Sequence, residues 1–209
     1  MRPPSIRNPG VSGRVSGVVR RVRECSILLG EERGEAFIVD KIALSPRQRR
    51  IVELWEQHVA LEFDEKNTEA TIATMVPEAY VNHVPVMTGG RGHEELRRFY
   101  STDFIPQMPP DTQMTMVSRT VGNDRLVDEM IFEFTHTIPM PWMLPGVQPT
   151  GKSVKVALVA IVSFEGDQLV HEHIYWDQAS VLMQLGLIRP EGLPVFGEAS
   201  ALKVLHPHL

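Results

Sequence analysis

Residues 171–188, HEHIYWDQASVLMQLGLI, change their periodicity halfway along the stretch. Polar and apolar residues alternate up to Trp176, which is typical of a β-strand with two different faces. From Ala179 the apolar residues recur at helical spacing until Gly186, so a short helix is predicted after the strand. Asp177 lies at the junction. Its carboxylate can cap the helix or, alternatively, face a cavity at the end of the strand.

Three further alternating segments precede this strand: MTMVSRTVG (114–122), RLVDEMIFEFTHTI (125–138) and KSVKVALVAIVSF (152–164). Gly122-Asn123-Asp124 and Glu165-Gly166-Asp167 are turn sequences, so the strands that they join are expected to pair antiparallel. The third segment presents one unbroken apolar face, which predicts that this face is buried. The segment between the middle strands, PMPWMLPGVQPTG (139–151), is too long for a tight turn and is a candidate lid.

The N-terminal half has helical periodicity instead. Ser45 and Pro46 are suited to the N-cap and the first helical position, and the apolar spacing behind them predicts a helix over residues 46–66. A shorter helical segment is predicted around residues 68–74 and another over 92–104. Helices first and an antiparallel sheet second indicate an α+β fold, with the helices packed on one face of the sheet.

Charge is distributed unevenly along the chain. Of the 21 Lys and Arg residues, six lie within residues 1–23, where there is no Asp or Glu. The remainder carries 15 basic against 26 acidic residues, which argues against binding to a nucleic acid. We expect an Arg-rich, disordered extension over residues 1–44, one domain over 45–190 and a C-terminal tail over 191–209.

The chain contains a single cysteine, Cys25, which excludes an internal disulfide framework and a multi-cysteine metal site. A reducing cytoplasm is the compartment that this composition favours. The longest apolar run, residues 156–164, is much shorter than the roughly 20 residues of a membrane-spanning helix. No membrane partner is therefore expected.

Asp177 is the candidate general base, because burial at the end of the strand would raise the pKa of its carboxyl toward the range useful for proton transfer. His83, in a short strand-like piece before the Gly-rich loop TGGRG, is its preferred partner. The alternative is that Asp177 only caps the following helix. Strict alternation places Asp177 on the same strand face as His171, His173 and Tyr175.

The candidate substrate pocket combines aromatic and imidazole side chains, although each of them could equally belong to the core or to the surface. These residues are Tyr80, His136, Trp142, His173 and Tyr175. The histidines do not follow the spacing of known zinc sites, so neither a metal nor another cofactor is predicted. The chain also lacks the GxSxG, GxxxxGK[ST], GxGxxG and HExxH motifs.

Two segments carry a resemblance to a known family: AYVNHVPVMTGGRGHEELRRFY (79–100) and LVHEHIYWDQASVLMQLGLI (169–188). With them, the chain from about residue 51 to residue 188 resembles the SnoaL-like polyketide cyclase branch of the NTF2-like superfamily. It is most similar to the members found alone or beside dienelactone hydrolase domains. No hydrolase nucleophile is present, so hydrolase activity is not carried over.

The resemblance implies a cone of helices against a strongly curved sheet, with a pocket inside and a homodimer built on the outer face. It also implies that Asp177 matches the acid/base aspartate of the cyclases and that His83 matches a histidine common in the family. Two hypotheses therefore remain open. The chain is a cofactor-independent cyclase, isomerase or dehydratase acting on a small hydrophobic carbonyl compound, or it is a non-catalytic ligand-binding or dimerisation domain.

Overall fold

The computed structural model describes residues 43–208 of the 209-residue chain. The predicted Arg-rich extension lies outside the described residues except for its last two positions, and Cys25 lies outside them as well.

Helix α1, Pro46–Phe63, begins as the sequence predicts. The Ser45 side chain accepts a hydrogen bond from the Gln48 backbone N–H, and the Gln48 side chain accepts one from the Ser45 N–H, which forms a capping box. The helix ends three residues earlier than predicted, before Lys66 adopts a φ of 52°. Its buried face consists of Ile51, Leu54, Trp55, His58, Leu61 and Glu62, so two titratable side chains lie in an otherwise apolar stripe.

The other elements follow in the predicted order, with short irregular helices added. They are α2 Thr68–Ala73, β1 Met75–His83, β2 Thr88–Arg91, α3 Gly92–Arg98, a π-helical turn Phe99–Phe104, a 3₁₀ turn Ile105–Gln107, β3 Gln113–Val121, β4 Arg125–Thr135, β5 Ser153–Glu165, β6 Gln168–Trp176, α4 Gln178–Gln184 and α5 Glu198–Leu205. The last helix lies in the segment that was predicted to be a tail, and its Glu198 is 3.4 Å from Lys155 on β5.

The strands form one sheet in the order β2-β1-β6-β5-β4-β3. The pairing of β1 with β6 is parallel, and the other pairings are antiparallel. The α+β class and the mainly antiparallel sheet are therefore confirmed. The predicted apolar face of β5 is buried from Val154 to Phe164, which makes it the floor of the core.

A β-bulge in β6 decides which side chains of that strand face the core. Phe164 pairs with Leu169, but the next position of β5, Ser163, pairs with His171, so Val170 has no partner in the ladder. Residues directly opposite each other share a face of the sheet, and one extra residue therefore exchanges the two faces of the strand beyond it. As a result Glu172 lies opposite the buried Val162.

The segment between β4 and β5 packs into the protein instead of lying over it. Met140, Trp142, Met143 and Leu144 are all buried and belong to the hydrophobic core. Among residues 43–208, no helix has both the length and the apolarity that crossing a bilayer requires.

Candidate functional site

A cavity of about 670 Å³ lies between α1 and the inner face of the sheet. That volume is within the range of roughly 300–1,000 Å³ that is usual for small-molecule sites. Most of the lining is apolar, and nine of the lining residues are Trp, Phe or Met: Trp55, Phe63, Phe104, Phe132, Trp142, Met108, Met114, Met116 and Met130. Methionine adapts to ligands of irregular shape. The polar side chains in this lining are fewer, and they fall into two groups plus His83 and Asp64.

The first group joins α1 to β6 through three buried residues. His58 Nε2 lies 3.1 Å from Glu62 Oε1 and 3.1 Å from Glu172 Oε1. His58 is 0% exposed, Glu62 5% and Glu172 4%, so all three are withdrawn from solvent. Both carboxylates also line the cavity. We call these residues the His58–Glu62–Glu172 cluster.

The tautomer of His58 follows from its other nitrogen. Nδ1 lies 2.5 Å from Thr74 Oγ1, and the Thr74 hydroxyl already donates its hydrogen to the backbone oxygen of Thr71 at 2.7 Å. Thr74 must therefore accept from Nδ1–H. Nε2 faces two carboxylate oxygens, and a lone pair there would repel both of them. A cation, in the simplest case a proton, has to lie between Nε2 and the carboxylates.

The electrostatics of the cluster agree with a retained proton. Burial alone would lower the pKa of His58, but the charges of Glu62 and Glu172 raise it to about 10. Burial raises the pKa of the Glu62 carboxyl, and neighbouring His58 only partly offsets this effect. The cluster thus combines a protonated imidazole with a carboxyl that tends to keep its own proton.

Tyr100 is a further buried partner of the cluster. Its hydroxyl donates to Glu172 Oε1 at 3.2 Å. Burial and the two carboxylates raise the pKa of Tyr100 well above its usual value, so the hydroxyl stays protonated. Tyr100 lies in the π-helical turn Phe99–Phe104. Such a turn contains an extra residue relative to an α-helix and often occurs at functional sites.

The second polar group lies on the same cavity wall, on α1, β3 and β4. Arg119 donates two hydrogen bonds to Asp128, at 2.7 and 2.9 Å, and a third to Glu56 at 3.0 Å. The Trp55 indole N–H donates to the same Asp128 carboxylate at 2.8 Å. The buried Asp128 is thus fully neutralised by a bidentate arginine, and the group is a rigid polar edge of the cavity.

His83 lies in the cavity wall, but it is not next to Asp177, which is outside the lining. Its ring packs 5.4 Å from Trp142 and 5.5 Å from Phe99, and its Nδ1 is 3.2 Å from Thr88 Oγ1. Burial lowers the pKa of His83 to about 4, so the imidazole is neutral at pH 7.

The structure corrects the geometry expected for Asp177. The carboxylate is exposed and does not line the cavity. It accepts hydrogen bonds from the Ser180 backbone N–H at 3.2 Å and from the Ser180 hydroxyl at 2.6 Å, which makes Asp177 the N-cap of α4. The capping alternative is thus what the structure contains. The bulge in β6 is the physical reason, because beyond it the face of His171 and Tyr175 points away from the core.

The other predicted pocket residues divide accordingly. Trp142 lines the cavity. Tyr80 and His173 lie on the outer face, where the Tyr80 hydroxyl is 2.9 Å from His173 Nε2, and Tyr175 is 40% exposed. His136 is fully buried but is not part of the lining, and its Nε2 has no hydrogen-bond partner among the residues that the structure describes.

Neither periodicity nor motifs singled out Glu62, Glu172, His58 or Tyr100, which the structure brings together at this cavity. The sequence does contain a signal for His58 and Glu62. They are four residues apart on the apolar stripe of α1, and this spacing places both side chains on one face of the helix. A histidine and a glutamate in a buried stripe need partners. No comparable signal marks Glu172, whose face depends on the bulge.

One group within residues 43–208 could hold a metal ion, and it is the His58–Glu62–Glu172 cluster. The three side chains offer ligand atoms that lie within 4.8 Å of one another. The histidines considered at the sequence level, His83, His136, His171 and His173, are not among them.

The fold and cavity can now be compared with known proteins. The chain is similar to the crystal structure of a protein from Jannaschia sp. CCS1 described as a SnoaL-like polyketide cyclase, at 20% identity and a TM-score of 0.57, over 70% of this chain and 99% of that one. It is also similar to TsrD from Streptomyces laurentii, at 22% identity and a TM-score of 0.51, over 70% and 100% of the two chains. No curated protein gives a significant match.

These structural similarities establish a shared fold. The match to a family model is more specific, because it extends from α1 to α4 and includes the whole sheet and the strand-to-helix junction at Asp177. That match, to the SnoaL-like polyketide cyclases, spans residues 48–185. Since it includes well over half of the 209 residues, the chain belongs to the SnoaL-like polyketide cyclase family.

Proposed function

We propose that the chain is a cofactor-independent acid/base enzyme, a cyclase, isomerase or dehydratase, that acts on a small hydrophobic carbonyl compound in the cavity. The observation that carries the proposal is the His58–Glu62–Glu172 cluster, which presents two carboxyl groups to a mostly apolar cavity. Buried titratable groups in a cavity are enriched in proton-transfer chemistry. Membership of the SnoaL-like family supports the same class of reaction.

The two carboxyl groups are suited to opposite roles. Glu172, held by His58 and Tyr100, receives a proton from the carbon next to the substrate carbonyl. Glu62, whose pKa is raised by burial, donates its own proton to the carbonyl oxygen as the electron pair moves there, which gives the enol. In the next step Glu62 takes back the O–H proton as the enol reverts to the carbonyl. The protonated Glu172 returns its proton to a different carbon when the enol is conjugated, or, when the enol carbon attacks a second carbonyl, to the oxygen of that carbonyl.

His58 and Tyr100 are positioning residues in this scheme, because neither is part of the cavity lining. His58 contacts both carboxylates and allows the proton to redistribute between them after each turnover. The Arg119–Asp128 pair and the neutral His83 supply a fixed polar edge against which the substrate oxygen atoms can be oriented.

The second candidate is a non-catalytic ligand-binding domain. It is favoured by one observation, that His58 already holds both carboxylates and Tyr100 also donates to Glu172, as in a cluster that only stabilises a fold. The two candidates predict the same cavity and differ in whether a bound carbonyl compound exchanges protons.

Proton exchange can be measured without knowledge of the natural substrate. Hydrophobic ketones are incubated with the protein in D₂O, and NMR follows the replacement of hydrogen by deuterium next to the carbonyl. We expect saturable exchange that falls by about 100-fold in Glu172→Gln and Glu62→Gln. Asp177→Asn, at the cap outside the cavity, is the matched control and should keep the wild-type rate. Ketones that bind without any exchange would favour the non-catalytic candidate.

The expected homodimer and the cytoplasmic location remain proposals. The outer face of the sheet presents Tyr80, His171 and His173 as a stacked group, with ring centroids 5.0 and 4.5 Å apart. A second copy of the chain on that face would leave the cavity unchanged. Light scattering with Tyr80→Asp against wild type tests the dimer, since a charge there should dissociate it.

A further inference from the structure

We infer that the His58–Glu62–Glu172 cluster also binds a divalent transition-metal ion, in the position that protons occupy otherwise. The inference concerns binding and stands independently of the proposed reaction. The metal ion and the protons compete for the same position in the cluster. The metal-loaded protein is therefore a different form from the protein that transfers protons.

The ligand geometry fits such an ion. His58 Nε2 is 3.1 Å from one oxygen of Glu62 and 3.1 Å from one oxygen of Glu172. An ion about 2.1–2.2 Å from each of these atoms would see each N–O pair at an angle of about 90°, which is the angle between neighbouring ligands of an octahedral ion. The three ligand atoms all lie within 4.8 Å of one another, so one ion can reach all of them without a change of fold.

The contact between His58 Nδ1 and the Thr74 hydroxyl already orients the imidazole as a metal ligand. Thr74 accepts from His58 Nδ1–H, which leaves Nε2 to provide the lone pair. Metal-binding histidines almost always have such a hydrogen bond on the other ring nitrogen, and it fixes both the tautomer and the ring orientation. The Thr74 hydroxyl is itself held by the Thr71 backbone oxygen, so this support is rigid.

Charge balance favours a doubly charged ion. With Nδ1 protonated and Nε2 free, the imidazole is neutral and the two carboxylates carry two negative charges in a buried place. Two protons can neutralise this charge, and one divalent ion does so as well. One imidazole and two carboxylates form a mixed nitrogen and oxygen donor set, which suits Mn²⁺, Fe²⁺, Co²⁺ or Zn²⁺ better than Ca²⁺.

The cavity provides the entry path and the remaining coordination positions. Glu62 and Glu172 line it, so water or a ligand oxygen can complete the coordination from that side. A metal site held by three protein ligands with open positions is the arrangement found in catalytic and not in structural metal centres.

Metal affinity should depend steeply on pH, because the ion displaces protons from the cluster. The titratable groups that face it are His58 and Glu62 from α1, Glu172 from β6, Tyr100 from the π-helical turn and His83 from β1. With up to two protons released, the apparent Kd should fall by up to about 100-fold for each unit of rising pH near neutrality.

The test uses the full-length chain, freed of metal by dialysis against a chelator. Co²⁺ titration is followed by visible absorbance, and Zn²⁺ titration by calorimetry in two buffers of different ionisation enthalpy. We expect one ion per chain, release of one to two protons, and at least a 100-fold weaker affinity in His58→Gln and in Glu172→Gln. Circular dichroism shows whether each variant is folded. If one of the two variants is unfolded, Glu62→Gln is measured in its place.

His171→Gln/His173→Gln is the matched control, because these histidines lie on the outer face of the same strand. This double variant should bind Co²⁺ as the wild type does. Absence of binding by the wild type, equal binding by folded cluster variants, or loss of binding in the outer-face control would each overturn the inference. None of these outcomes depends on turnover, so they leave the proposed reaction to its own test.

Discussion

His58 Nε2 on α1 lies 3.1 Å from Glu172 Oε1 on β6, so a single polar contact connects the first helix to the last strand through the core. Removing one partner of a buried ion pair costs more than the pair itself contributes, because the other charge is left behind. His58 therefore determines how well the fold tolerates the buried carboxylates of Glu62 and Glu172.

His58→Leu should destabilise the protein by about 3–5 kcal/mol at pH 8, since Glu62 and Glu172 then face each other without a cation. The loss should be smaller at pH 5, where protons can neutralise the carboxyl groups. Urea unfolding at the two pH values measures the difference. His173→Leu on the outer face is the control, and an equal loss at both pH values in His58→Leu would contradict the explanation.

The stability of the wild type should fall as the pH rises from 7 to 10. The pKa of His58 is raised from 6.5 to about 10, so the stabilisation linked to its protonation is complete below pH 6.5 and is lost as the pH passes through 10. The raised pKa of Glu62 acts in the same direction. The slope attributable to His58 should approach about 1.4 kcal/mol per pH unit. Unfolding of His58→Gln across the same range should show a flatter profile.

Asp177→Ala should lower the unfolding free energy by about 1 kcal/mol, because it removes the N-cap of α4. Asp177→Asn should be close to neutral, since asparagine caps equally well. Neither change should alter ketone exchange in the cavity. Thermal melts and the exchange assay check both statements. Loss of exchange in a folded Asp177→Asn would restore the acid/base role that the family resemblance implied.

Filling the cavity should abolish ligand binding without loss of the fold. Ala160 faces the cavity from β5, whereas Ala157 is half-buried on the other face of the same strand. Ala160→Phe is expected to weaken the binding of hydrophobic ketones at least tenfold, and Ala157→Phe is expected to leave it unchanged. Trp55 and Trp142 line the cavity, so intrinsic fluorescence reports the binding directly. Equal effects of the two substitutions would place the ligand elsewhere.

Most of the fold could be predicted because it depends on local signals. The capping box at Ser45 and the turns around Gly122 and Gly166 each depend on a few consecutive residues. The structure contains α1 and the β3–β4 and β5–β6 hairpins at these places. Of the residues that the sequence suggested for a pocket, only Trp142 and His83 line the cavity.

The inward position of Glu172 could not be predicted by the same means. Alternation assigns faces only while the register is continuous, and the bulge at Val170 interrupts it between the turn and Glu172. The π-helical turn that brings Tyr100 to Glu172 is likewise a one-residue departure from regular helical spacing. The bulge and the π-helical turn both depend on tertiary packing, and the spacing of apolar residues in the sequence carries no information about that packing.

Because β6 contains an extra residue, the number of residues in the strand, more than their identity, decides which side chains face the core. Loss of one codon at Val170 would turn the imidazoles of His171 and His173 inward and expel Glu172 to the outer surface, with every other amino acid of the strand retained. Substitutions change the surroundings of the inward-facing carboxylate gradually. A one-residue insertion or deletion instead replaces the inward-facing carboxylate with imidazoles in one step. Descendants of such a sequence could thus diverge in reactivity through a change that alignment would score as a minor gap.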